Sequence, residues 1–290
     1  MRTIERDGIT VEFPRGSEAV ADKLLQRAGL TRETFAPLFP TVPNLQLHLQ
    51  WFPRSVWKER GHGPWGMPTA IGTDGVLLPA TDLEMPDACV VIIDPLTDLR
   101  ALSAAEVREM LALAPPRPKT RVALRHYLKS RAFYHDLMTD FVLPHEIFHV
   151  YCNNVGIRRQ PVWPYESLAQ WSSEWFLHRQ GEPDLARFYH LCYRMYYLAG
   201  MGRDGNEGLT RFTNYAWFHG ADTVMMGELG KRYGEDFIPR VVRMAQERVA
   251  ELAKASDAEW VRLFSETAGE DLAPWFAIRF GGAPRPEETR

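Results

Sequence analysis

No stretch of this 290-residue chain reaches 18 consecutive apolar residues, which excludes a membrane-spanning helix of ordinary length. Residues 88–94 are apolar but far too short to cross a bilayer, and they read as a buried strand. Cysteine is scarce. Cys89, Cys152 and Cys192 lie far apart, match no paired metal-ligand spacing and, being three, cannot all close internal disulfides. Buried thiols in a reducing compartment are the expectation. Neither sign of charge dominates: 34 Lys and Arg against 37 Asp and Glu give a net charge of -3, which argues against nucleic acid as the main partner and implies no other strongly charged one. Internal repeats and low-complexity segments are missing too, apart from a polar tail at 281–290. The opening residues, MRTIERDGITVEFPRGSEAV, are charged and alternating instead of showing a basic start, an apolar core and a cleavage site. The expected location is the cytoplasm, with no membrane partner.

Hydrophobic residues make up 45% of the chain and aromatic residues 12%, enough to bury a sizeable core. Strict alternation at 9–13 and 45–51 predicts strands, 75–79 and 88–94 add two more, and Ser17 is placed to cap a helix running to about residue 27. A helix is predicted over 103–114, followed by a stiff break at Pro115-Pro-Arg-Pro118. From Arg121 onward strand patterns almost vanish. The predicted class is α+β: an N-terminal α/β lobe over 1–130 built on a small mixed sheet, then an all-helical lobe over 131–280.

The chemistry concentrates in His145-Glu146-Ile147-Phe148-His149. Histidines four apart share one face of a helix and can reach one metal ion, while the glutamate between them can project toward a metal-bound water. Pro144 stands directly before the first histidine, so the motif helix must start near Leu143 or bend there. Catalytic zinc commonly takes a third protein ligand, and two histidines with one glutamate is a frequent set. Residues 161–176 read as a second helix behind a proline turn, with Leu168, Trp171, Trp175 and Phe176 as its apolar stripe and Ala169 small enough for a close helix crossing. Glu166 in its first turn and Glu174, more than two turns on, are the candidate ligands.

His-Glu-x-x-His followed by Trp163-x-x-Glu166-x-x-Ala169 resembles the gluzincins, zinc metallopeptidases whose third ligand is a glutamate on the helix after the motif helix. Among them it is most similar to the compact peptidase MA-like group, although Ser167 stands where that group usually has glycine. The resemblance implies a zincin-like fold with the active-site cleft between the lobes, His145, His149 and Glu166 as zinc ligands, and Glu146 as general base. It implies one Zn2+ per chain; the ligand set also accepts Fe, Co or Mn. An N-terminal sheet edge, expected over 63–78, would hold extended substrate. The passage from Asn214 to Gly234 is similar to a family helix carrying an oxyanion donor, which the register makes His219 or, one turn away, Tyr215. The implied activity is hydrolysis of a peptide or small amide. Two further readings stay open: a metalloenzyme on the same scaffold tailoring a small molecule or biosynthetic peptide, and a non-catalytic interaction protein that keeps the fold.

His135, Asp136 and Asp140, just upstream, can orient a ligand histidine or form a solvated helix face. His48 and His62 are weaker candidates for the cleft. The aromatic run 188–197 reads as helix core with a pocket-lining alternative, and 257–280 as packing of the helical lobe.

Overall fold

The computed structural model describes residues 1–60, 67–80, 98–157, 161–200 and 215–280. Five strands form one mixed sheet in the order β1-β2-β3-β5-β4. They are β1 (Arg2–Arg6), β2 (Ile9–Phe13), β3 (Leu47–Phe52), β4 (Thr69–Ile71) and β5 (Gly75–Pro79). β2, β3 and β5 run parallel in the centre, and the antiparallel β1 and β4 form the edges. Parallel strands covered on their faces carry unbroken apolar sequence, and β5, Gly-Val-Leu-Leu-Pro, is buried at every position. The predicted strands at 9–13, 45–51 and 75–79 are therefore present, while 88–94 lies outside the described residues. β1 carries no apolar alternation because it is an exposed edge. β4 supplies the sheet edge expected within 63–78, of which 61–66 lie outside the described residues.

Helix α1 (Glu18–Phe35) crosses the sheet and buries Ala21, Leu24, Leu25, Ala28 and Phe35, a single stripe at helical spacing. It runs a further two turns beyond the predicted end because Phe35 packs edge-on to Phe148 and stacks near Trp175. After the short α2 (Arg54–Arg60) come α3 (Ala104–Leu113), α4 (Arg121–Leu128) and α5 (Arg131–Leu137). Ser103 and Glu106 close a reciprocal capping box that starts α3 where the sequence places it.

Every regular element described after residue 98 is a helix. A widened turn, Met138–Val142, leads from α5 into α6 (Leu143–Val155), the motif helix. The Leu143 N–H reaches Met138 O, five residues back. Pro144 has no N–H and its ring would strike the carbonyl four residues earlier in a regular helix; the wider turn accommodates it, so the helix both starts at Leu143 and departs from ideal geometry there. Gly156 at φ 84° ends α6 in the left-handed conformation, with the Ile157 N–H bonded to Cys152 O at 2.9 Å. Ten consecutive residues of α6, from Leu143 to Cys152, are buried, because α1, β4, β5 and α7 (Val162–Arg179) all pack on it.

The helices α8 (Pro183–Gly200), α9 (Tyr215–Tyr233), α10 (Phe237–Glu247), α11 (Val249–Leu252), α12 (Asp257–Ala268) and α13 (Ala273–Phe280) complete the chain. α8 and α9 lie against α7. Trp163 near the start of α7 donates its Nε1–H to Asp257 at 2.9 Å and packs against Phe264 and Phe276, so the 257–280 segment buttresses the ligand helix. One contiguous apolar core runs from Ile9 to Phe276 and crosses residue 130. No described helix is long and apolar enough to cross a membrane.

Candidate metal centre

Two adjoining helices bring three buried donors to one point. His145 and His149, a turn apart on α6, place their Nε2 atoms 3.0 Å from each other and each 3.2 Å from Glu166 Oε2 on α7. Ligand atoms held ~2.0–2.1 Å from a tetrahedral zinc ion stand about 3.3 Å apart, so the triangle has nearly the edge lengths that such an ion imposes. The donor set fits as well: two neutral imidazoles cannot both aim an N–H at one another, whereas two ring lone pairs and a carboxylate oxygen can all face a cation. Among the described residues this is the one group of three or more His, Cys, Asp or Glu side chains with metal-binding spacing. Glu166 occupies the second turn of α7 and not the first, because the helix begins at Val162, four residues earlier. Burial alone would raise its pKa, but the two histidines against it hold it well below the ordinary carboxylate range.

Glu146 is buried between the two ligands on α6, and its negative charge acts on both His145 and the Tyr193 hydroxyl. The ligands are themselves held. Gln170, one turn after Glu166, donates to Thr223 Oγ1 at 3.0 Å and stands beside His145 and Tyr193, acting on the titration of both. The Tyr165 ring lies parallel to the His149 ring, with centroids 4.0 Å apart and planes within 9°. Ser167 donates its hydroxyl to Asp222 on α9, and burial pushes the Asp222 carboxyl well above its ordinary pKa. The serine found where the resembled group has glycine thus has a partner of its own, and Ser167–Asp222 and Gln170–Thr223 form two polar rungs between α7 and α9.

Those rungs set the position of His219, three residues before Asp222. His219 is buried, with its ring centroid 5.5 Å from that of His145, and burial lowers its pKa to about 3. Tyr215 opens α9, but its side chain lies outside the described residues. Gly234, at φ 87°, follows the last residue of α9 as the motif register anticipates.

Other candidates sit elsewhere. Glu174 pairs with His190 Nδ1 at 3.0 Å and is not part of the triad. Asp140 is buried, not solvated, and Asp136 is half-buried; both bind Lys23, and Asp140 also binds Arg27. They tie α1 to the widened turn and do not orient a ligand. His135 packs edge-on to Trp51, His48 is 3.9 Å from Glu12, and His62 lies outside the described residues. In the aromatic run, Tyr189 is core, while Tyr193 stacks on Phe141 and faces the site through Gln170. Sequence reasoning missed Gln170, Tyr165 and Asp222; the four-residue step from Glu166 to Gln170, which puts both on one helix face, was the available clue.

No family model, no curated protein and no solved structure matches this chain.

Proposed function

We propose that the protein is a zinc-dependent hydrolase of the gluzincin kind, acting on an amide bond in a peptide or small molecule. The observation that carries this reading is the convergence of His145, His149 and Glu166 donor atoms within 3.0–3.2 Å of one another in a buried setting, with Glu146 between the two histidines. A zinc ion in that set would polarise the scissile carbonyl and bring the pKa of a bound water toward ~7. Glu146 takes the proton of the attacking water and returns it to the leaving amine; its burial beside His145 keeps bulk water from competing for that proton. His219, kept neutral by burial, retains an N–H to offer a developing oxyanion. Gln170 holds His145 in orientation, as outer partners of ligand histidines commonly do.

The test is elemental analysis of protein produced in metal-replete medium, paired with mass spectrometry of a peptide mixture before and after incubation. About one zinc per chain is expected in the parent protein, and cleavage that chelators abolish. His149→Ala should lose the metal; full retention in that variant would end the assignment. Stoichiometric zinc without cleavage of any peptide would move the substrate to another amide.

A further inference from the structure

A histidine ligand needs its ring plane fixed as well as its position, because the nitrogen lone pair lies in that plane. A helix fixes the first side-chain torsion of His149 through its neighbours. The second torsion is broad for histidine and must be set from outside. For His145 the neighbouring Gln170 serves. For His149 the contact is a ring face: Tyr165 lies flat against it at 4.0 Å with the planes 9° apart. Turning the imidazole out of that plane would drive it into the phenol.

The phenol is itself tied down. Tyr165 donates its hydroxyl to Asn153 Oδ1 at 3.1 Å, and Asn153 donates its amide to Gly72 O at 2.8 Å in the turn between β4 and β5. Asn153 is one turn beyond His149 on the same helix. The residue next to one ligand, Glu166, therefore clamps the ring of another, and the clamp is anchored to the sheet.

On the metal-site reading above, we infer that Tyr165 is a positioning residue for the metal, holding His149 Nε2 on the ion by face-to-face stacking, with Asn153 as its anchor. The consequence is a division of labour on α7: Glu166 ligates, Gln170 orients His145, and Tyr165 orients His149.

Chelator competition with Zn2+ and the visible spectrum of Co2+-substituted protein test this without recourse to activity. Tyr165→Leu, which removes the flat face, should bind zinc about 10- to 100-fold more weakly and give an altered Co2+ spectrum. Tyr165→Phe, which keeps the face, should stay within a few-fold of the parent protein and preserve the spectrum. Asn153→Ala should match Tyr165→Phe, and the double variant should lose no more than either alone. Parent-like affinity and spectrum in Tyr165→Leu would overturn the inference. Should that variant not fold, additive losses in Asn153→Ala and Tyr165→Phe, or an altered Co2+ spectrum in Tyr165→Phe, would overturn it as well. A parent protein that binds no zinc would overturn the functional reading itself, a different result from a parent that binds zinc and a Tyr165→Leu that binds it equally well.

Discussion

Glu146 and Glu166 are carboxylates of one size, both buried, on adjoining helices, yet only Glu166 converges with the two imidazoles. That difference separates their roles experimentally. Glu146→Gln should keep the metal and fold while turnover falls by several orders of magnitude, since an amide cannot accept the proton. Glu166→Ala should instead weaken zinc binding, leaving two histidines alone. Atomic absorption beside a rate assay on both variants decides it, and equal metal loss in the two would contradict the assignment. His219 poses a third case. Its ring stands 5.5 Å from that of His145 without joining the ligand group, so His219→Ala should cost about 100- to 1000-fold in kcat with near-parent zinc affinity. A loss confined to KM would make it a substrate-binding group.

At the scale of elements, the motif helix is held from both ends. Its C-terminus is pinned by Asn153 and Asn154 to the carbonyls of Gly72 and Thr73 at 2.8 and 2.6 Å. Its N-terminus follows the turn where Asp140 meets Lys23 and Arg27, and Arg27 also forms a two-pronged pair with Glu182 ahead of α8. Burial raises the Asp140 pKa and the two cations oppose that, so stripping one cation leaves a buried charge poorly compensated. Removing one partner of such a buried pair typically costs about 3–5 kcal/mol. Arg27→Ala should lose stability on that scale in urea unfolding, with metal stoichiometry unchanged. A loss below about 1 kcal/mol would class the network with exposed pairs. None of this was visible in the sequence, because Lys23 and Asp140 are 117 residues apart and local patterning carries no record of such a pairing. The His-Glu-x-x-His spacing was legible for the opposite reason: helix geometry alone sets which two imidazoles share a face. Central strands were legible from their apolar content, while β1, exposed and charged, offered no such pattern.

Across the whole molecule the two segments that the sequence divides at residue 130 share one apolar core. The division followed a real change in patterning, from strands to helices, but patterning cannot show that α1 packs directly on α6 and α7. The ligands come from two helices in the middle of that core, separated by 17 residues between His149 and Glu166, so the binding geometry exists only in the folded state. Zinc should therefore stabilise the entire chain by mass action, by about 2.7 kcal/mol when free zinc is 100 times its Kd. For a protein of this size that corresponds to a rise in Tm on the order of 4–5 °C. Thermal unfolding of chelator-treated protein, with and without added Zn2+, gives the measurement, and three variants sharpen it. Glu146→Gln should keep the full shift, His149→Ala should lose it, and Arg27→Ala should start from a lower Tm yet gain a similar increment. A shift that survives in His149→Ala would mean that zinc binds elsewhere; an equal loss in Glu146→Gln would make that residue a ligand and leave the proton transfer without its base.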